Sequence, residues 1–280
     1  MLFVCLFAYA QPSGKYTDSK GMSIPLQEVH RIVSLGPGVT ETICALGAMD
    51  KLVGRTDYCD YPKEVLSVPS IGEIINPSIE RIIRLRPDMV IAGSMVNQNV
   101  YDALAKAGIT IVCINKEQSF EGTYGFIRDI GKVIGKAYEA EQLVRSMQDE
   151  MNAIKERWQN EPKKRVYLAI SFGMYDSTAT GDTFLDKMIT IAGGINVAED
   201  GRNWMYSKEK LVTDNPEVII LMSRMSSGES DDQLLKQWNS TKPYSDLKAK
   251  IRIIDGDLIG RQGPRIVDAV KEIALLIHGA

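Results

Sequence analysis

Residues 137–158, AYEAEQLVRSMQDEMNAIKERW, read as one long amphipathic helix, and the rest of the chain is arranged around it. Ala140, Leu143, Val144, Met147, Met151, Ile154 and Trp158 recur at steps of three and four, while charged residues fill the other faces. Gly135 suits the end of a preceding helix, and Asn160-Glu161-Pro162 closes this one. At 1.5 Å per residue it would span roughly 33 Å, which is long for a domain of this size. An ordinary core helix and a rigid strut between two lobes both fit that pattern. A partial repeat on its two sides favours the strut.

Before the helix the chain reads Ser78-Ile79-Glu80-Arg81-Ile82-Ile83-Arg84-Leu85-Arg86-Pro87-Asp88, followed by the apolar run Met89–Ala92. After it comes Ser207-Lys208-Glu209-Lys210-Leu211-Val212-Thr213-Asp214-Asn215-Pro216-Glu217, followed by Val218–Leu221. The offset is constant, since 209 − 80 and 216 − 87 both give 129. Each segment has a serine placed to cap a helix, a glutamate in the first turn, a stop at proline, and a short aliphatic strand. Two equivalent lobes joined by one helix follow from this.

The 280 residues allow about two domains. The composition is 44% hydrophobic and 25% charged with a net charge of −3, which suits a soluble globular protein. So mild an acidic balance argues against a nucleic-acid or membrane-surface partner, both of which need basic clustering. Met1–Tyr9 is almost wholly apolar, and Ala8-Tyr9-Ala10 has the small-x-small form of a signal-peptidase site. Residues 1–10 are therefore read as the remnant of an export signal. Cys5 raises a lipid anchor, although Phe3-Val4 ahead of it are bulky for a lipoprotein signal. Cys44, Cys59 and Cys113 remain, an odd number with neither a disulfide framework nor zinc spacing. A single bridge among them stays open.

Residues 11–30, rich in Ser, Gly, Lys and Pro, are expected to be a flexible tether. Residues 31–136 form the N-terminal lobe, 137–160 the bridging helix, and 161–280 the C-terminal lobe. Strands are expected at 31–35, from 52, at 89–92, 109–114, 165–170, 218–222 and 251–255. Helices alternate with them, so the fold is α/β: two Rossmann-like lobes with mostly parallel sheets. The first helix is expected to be capped at Thr40, and residues 256–264 to be a loop. Gly36-Pro37-Gly38 turns strand into helix but lacks both a dinucleotide fingerprint and a Walker lysine. An enzyme is disfavoured: neither G-x-S-x-G nor a central histidine occurs, and Asp57 and Asp60 beside Cys59 would raise its pKa rather than activate it.

The chain resembles periplasmic solute-binding proteins of the class whose two lobes are joined by a single long helix. These serve ABC importers of cobalamin, ferric siderophores and haem. The marks are Arg31-Ile32-Val33-Ser34-Leu35 with Thr40-Glu41, then Asp57-Tyr58-Cys59-Asp60-Tyr61-Pro62, and Ile79-Glu80-Arg81-Ile82 with Arg86-Pro87-Asp88. Ala192-Gly193-Gly194-Ile195-Asn196-Val197 and Gly263-Pro264-Arg265-Ile266-Val267 complete the set. The resemblance covers 31–280 and implies an exported periplasmic carrier, monomeric and not an enzyme, with no cofactor of its own. It also implies an inner-membrane permease as partner, docked through Glu80 and Glu209.

The ligand is expected between the lobes, outside the carboxyl ends of the strands, where open α/β sheets bind. That selects Tyr58, Met95, Phe172, Tyr175, Trp204, Arg224, Asp257 and Arg261. Aromatic and methionine side chains hold a large flat chelate, and arginines meet its carboxylates or phosphate. Tyr58, Trp204 and the Asp257/Arg261 pair match pocket positions of cobalamin-binding members, whose two further tryptophans are replaced here by Ile74 and Gly93. A corrinoid such as cobalamin is the leading expectation and a ferric siderophore the alternative. Haem-binding members place a tyrosine near Glu73, and none stands there. Bare zinc or manganese wants imidazoles, whereas His30 and His278 sit at the edges of the fold. A sensor module that keeps the fold without a transport ligand is the remaining reading.

Overall fold

The computed structural model describes residues 14–93, 96–223 and 230–279. The chain divides into two compact units, one running to Glu117 plus Glu121–Val144, the other taking Gln118–Phe120 and Arg145 onwards. The division falls inside the long helix.

The first unit opens with a hairpin of β1 (Lys15–Thr17) and β2 (Ser23–Pro25), in which Tyr16 pairs with Ile24. Residues 14–30 are thus not the flexible tether expected from their composition. Tyr16, Ile24 and Val29 are buried, the Tyr16 hydroxyl donates to Asp129 at 3.0 Å, and three apolar anchors in so short a segment outweigh its polar residues. Then come β3 (Ile32–Leu35), helix α1 (Pro37–Ala45) and β4 (Leu52–Gly54). Helix α2 (Ile79–Arg84), β5 (Met89–Ala92), α3 (Gln98–Lys106), β6 (Thr110–Cys113) and α4 (Phe120–Val133) follow. The sheet has the order β4-β3-β5-β6, and every pairing in it is parallel. Its central strands are buried on both faces, as continuous aliphatic runs require. Val33, Leu35, Val90 and Ala92 pack with Ile82 of α2 and Val100 and Leu104 of α3. Helix α1 starts at Pro37, before the expected cap at Thr40, because proline's fixed φ favours a first helical turn. Thr40 lies inside the helix, and its hydroxyl donates to Ser34 Oγ at 2.8 Å in the core.

Helix α5 covers Ala137–Trp158, the expected bounds. Ala140, Val144, Met147, Met151, Ile154 and Trp158 are buried along one stripe.

The second unit contains β7 (Arg165–Ser171), β8 (Ser177–Thr178), α6 (Phe184–Ile191) and β9 (Ile195–Asn196). It continues with α7 (Lys208–Asp214), β10 (Val218–Met222), α8 (Asp231–Ser240), β11 (Lys250–Ile254), α9 (Gly256–Gly260) and α10 (Ile266–His278). The sheet order is β11-β10-β7-β8 with β9 also on β7, and only the short β8 runs antiparallel. The α/β class with mostly parallel sheets is therefore what both units show. Helix α8 was not expected. It is opened by a capping box in which Ser230 and Gln233 satisfy each other's backbone N–H groups, and it buries Leu234 and Trp238. The 256–264 stretch is not wholly loop either, because the Asp255 carboxylate caps α9 through the Asp257 N–H at 2.9 Å. Gln118–Phe120 joins this unit through Phe120, whose ring meets Phe184 edge to face at 4.8 Å.

The expected repeat is physical. Ser78 caps α2 by accepting the Arg81 N–H at 3.3 Å, and Ser207 caps α7 by accepting the Lys210 N–H at 3.1 Å. Each helix is followed by a left-handed residue before the proline: Arg86 at φ 47° and Asn215 at φ 46°. Their spacing, 215 − 86, is again 129.

Candidate ligand-binding site

In the second unit a pocket of about 140 Å³ opens at the carboxyl ends of β7 and β10. Ile170 and Met222 come from those strand ends, Phe184 and Leu185 from the first turn of α6, and Trp204 and Arg261 from loops. Of the expected ligand residues, the structure brings Trp204 and Arg261 to this one place. The wall is mainly apolar, with one indole and one guanidinium.

Trp204 is partly exposed, at 39%, whereas Trp158 and Trp238 are buried in the fold. Its backbone is held in place: its N–H donates to Thr180 Oγ1 at 3.2 Å, and its carbonyl accepts the Thr178 N–H at 2.9 Å. Arg261 follows α9 and is only 7% exposed. A charge at that depth needs a counter-charge, and Asp257, one helical turn earlier, supplies it at 2.9 Å. Asp257 thus serves Arg261 first. It neutralises the guanidinium that lines the pocket.

Tyr58 stands in the first unit, in the loop beyond β4. That loop is built from inside. The buried Arg55 guanidinium donates to the carbonyls of Val65 at 2.9 Å and Thr56 at 3.0 Å. The Cys59 N–H closes a turn onto the Thr56 carbonyl at 3.1 Å, and the Cys59 thiol is buried 3.1 Å from the Thr56 hydroxyl. Asp57 accepts the Ser70 hydroxyl. With these residues turned inward, Tyr58 and Tyr61 are left 40% and 44% exposed.

Phe172 is turned into the core rather than toward the pocket. It is buried, edge-on to Trp238 at 4.9 Å and to Tyr244 at 5.9 Å. It stands just past the end of β7 and packs with Tyr167 and Ala169 into the aromatic core under α8, a helix the sequence reading did not contain. Its neighbours Met174 and Tyr175 are largely exposed at the β7–β8 turn, where Asp176 accepts the Gly173 N–H at 2.9 Å and the Tyr244 hydroxyl at 2.6 Å. Burial works against the Asp176 charge, but Lys208 and Tyr244 outweigh it and hold its pKa below the usual carboxylate range. Met95 and Arg224 lie outside the described residues.

Sequence reasoning missed Gln118, Ile170, Phe184, Leu185, Met222 and Gln262 as pocket residues. Ile170 and Met222 could have been found as the last members of their aliphatic runs; Gln118 carries no local signal. Among the described residues no group of three or more His, Cys, Asp or Glu side chains is placed to hold a metal ion. His278 is engaged in packing: its ring stacks on Trp158 at 4.0 Å, and its Nε2 lies 3.0 Å from the Ala192 carbonyl. Cys44, Cys59 and Cys113 are free thiols, the Cys44 thiol pushed up to about 11 by burial. Glu80 and Glu209 are both exposed in the first turns of their helices. The Ser207 hydroxyl donates to Glu209 at 2.7 Å and lowers its pKa.

The sequence pattern of a family described as "Periplasmic binding protein" matches residues 32–242, most of the chain. The chain belongs to that family. This binding protein is 33% identical over 273 residues to the uncharacterized ABC transporter substrate-binding lipoprotein YvrC of Bacillus subtilis, covering 93% of this chain and 84% of that one. It is 26% identical over 256 residues to the vitamin B12-binding protein of Yersinia pseudotuberculosis, covering 90% and 88%. Among solved structures, the periplasmic haem-binding protein RhuT from Roseiflexus sp. RS-1 in apo form matches with a TM-score of 0.75 and 25% identity, over 90% of this chain and 98% of that one. The periplasmic binding protein described here is accordingly the substrate-binding component of an ABC transporter. Its class captures and delivers rather than catalyses, and a membrane permease is its partner. Among the described residues no helix is long and apolar enough to cross a membrane.

Proposed function

We propose that the protein captures a metal chelate, a corrinoid such as cobalamin, and hands it to the permease. The observation that carries this reading is the meeting of Trp204 and Arg261 on one apolar wall at the carboxyl ends of β7 and β10. An indole face offers a large flat surface to a macrocycle, and a guanidinium held in a low-dielectric wall pairs with a phosphate or carboxylate on its edge. The chelate brings its own metal ligands, so the protein need only recognise the outside of the complex. The name of the Yersinia relative supports the corrinoid, and Tyr58, exposed on the loop after β4, is assigned to the same ligand.

Haem is the second reading, favoured by the name of the RhuT neighbour. Against it, position 73 is an exposed glutamate, which offers no phenolate to iron. Glu80 and Glu209 are assigned to permease docking: each is an exposed carboxylate at the same place in its unit, suited to a permease arginine.

Calorimetric titration of the purified protein with cyanocobalamin, cobinamide, haemin and a ferric siderophore tests the reading. One-to-one corrinoid binding that weakens at least tenfold in Trp204→Ala is the expected result. Saturation by haemin or the siderophore alone would replace the corrinoid with that ligand. No binding by any of them would end the chelate reading.

A further inference from the structure

The segment carrying Trp204 runs through an unusual backbone. Asn203 and Trp204 are consecutive non-glycine residues at φ 55° and φ 66°, a conformation that side chains bearing a Cβ avoid. Such a pair persists only where its surroundings over-determine it. Here the pair is the centre of a tight turn closed by the Met205 N–H on the Arg202 carbonyl at 3.0 Å, and three further hydrogen bonds hold it from one side. The Thr180 hydroxyl donates to Asp182 Oδ1 at 2.6 Å, and Asp182 Oδ2 accepts the Asn203 N–H at 2.9 Å. Thr180 Oγ1 in turn accepts the Trp204 N–H at 3.2 Å. Thr180 is fully buried, and the two loops touch through their backbones. A Cβ on Gly201 would stand 2.7 Å from Thr180 Cγ2, and one on Gly181 would collide with the Glu199 carbonyl.

We infer that Thr180 and Asp182 form a latch that sets the Trp204 indole against the pocket, making Asp182 a positioning residue for ligand capture. The inference rests on the pocket reading above for its functional half. Its structural half stands on the loop alone. Without the latch the turn would keep the Met205 N–H bond to the Arg202 carbonyl and the Thr178 N–H bond to the Trp204 carbonyl, but the indole would be held less firmly against the wall it shares with Arg261. The Asp182 carboxylate holds the loop through the Asn203 backbone N–H and the Thr180 hydroxyl. Its effect on binding is therefore indirect, through the placement of Trp204.

The test uses the full chain and needs Asp182→Ala, Thr180→Val, Asp182→Asn, Trp204→Phe and Trp204→Ala. Subtracting Trp204→Phe emission isolates the Trp204 signal from that of the two buried tryptophans. Asp182→Ala and Thr180→Val should each raise acrylamide quenching of that signal about twofold and weaken cyanocobalamin binding about tenfold. Asp182→Asn keeps an acceptor for the Asn203 N–H and should recover part of both. Thr180→Val preserves shape in the buried position, so the inference stays testable if Asp182→Ala fails to fold. Wild-type quenching in both variants would overturn the latch. If quenching rises but the wild-type protein binds no chelate, the latch stands and the proposed ligand falls. If chelate binding is lost in Trp204→Ala yet unchanged in the latch variants, the latch falls and the ligand stands.

Discussion

Asp88 and Arg31 exchange backbone and side-chain bonds: the Asp88 carboxylate accepts the Arg31 N–H at 2.9 Å, and the Asp88 N–H returns to the Arg31 carbonyl at 2.9 Å. The Arg31 guanidinium then reaches the Leu85 carbonyl at the end of α2, at 2.6 Å. The second unit repeats the joint. Glu217 accepts the Arg165 N–H at 3.0 Å, returns its own N–H to the Arg165 carbonyl at 2.8 Å, and the Arg165 guanidinium reaches the Asn215 carbonyl at 3.3 Å. Since 217 − 88 is also 129, each joint ties the start of the unit's first long strand to the end of its glutamate-bearing helix. Both acids are partly or fully solvent-exposed, so Asp88→Ala and Glu217→Ala should each cost about 1 kcal/mol, not the larger sum of all the bonds broken. Urea unfolding checks this, with the midpoint falling and the slope unchanged.

Arg86 and Asn215 occupy the same left-handed step before proline at unequal cost. Asparagine tolerates that region and arginine does so poorly. Arg86→Gly should therefore raise stability by about 0.5–1 kcal/mol, and Asn215→Gly should change it less, since glycine also adds entropy to the unfolded chain. Thermal melts of the two variants side by side would show whether the order holds.

Glu80 and Glu209 should be silent in binding and audible in transport. Glu80→Ala and Glu209→Ala are expected to keep chelate affinity within about twofold, since neither lines the pocket. Uptake in cells carrying the cognate permease should fall for each and collapse for the pair. A drop in affinity instead would move these glutamates from docking to the ligand.

Phe172 and Trp204 should part company. Truncating a buried aromatic costs about 3–5 kcal/mol, so Phe172→Ala should lower the melting temperature steeply, while Phe172→Leu should fold and bind as wild type. Trp204→Ala should barely move the melt and should weaken the ligand. The reverse pattern would put Phe172 back among the ligand contacts.

Asp182 gives a pH dependence with a definite sign. The Asn203 N–H and the Thr180 hydroxyl hold its carboxyl below the usual range, helped by the Arg202 charge on the facing loop. A depressed folded pKa means that the latch contributes fully above the unfolded value near ~3.9, and that the contribution is lost as pH falls through the folded value. The Trp204 emission should stay constant from pH 7 to about 4 and change only below that, as pH falls toward the lowered folded value. In Asp182→Asn that acid limb should be absent.

The parts of this molecule that could be read from sequence are those governed by local chemistry. Helix α5 declares itself by the spacing from Ala140 to Trp158, and α6 and β10 were placed to the residue by an aliphatic run and its stops. The repeat was legible because caps, acids and prolines act within a few residues. Helix α8 was not, for its apolar stripe holds little beyond Leu234, Leu235 and Trp238. Phe172 was misjudged for the same reason: its role is set by Trp238 and Tyr244, more than sixty positions away. Trp204 was singled out by type and position, but its backbone strain and the Thr180–Asp182 support could not be inferred from residues 203–204 alone.

The hairpin ahead of Val29 has a consequence for solubility. Strand β6 ends its sheet, and an uncovered end strand is a template for pairing with another molecule. Asp18 accepts the Cys113 N–H at 3.0 Å, the Ser19 N–H donates to the Cys113 carbonyl at 2.8 Å, and Ser19 also bonds Asn115. Those few polar residues occupy the hydrogen-bonding positions at the end of β6 that a second copy would otherwise use. A protein trimmed back to Val29 would keep every pocket residue and still carry a bare strand end, and self-association is the form its failure would take.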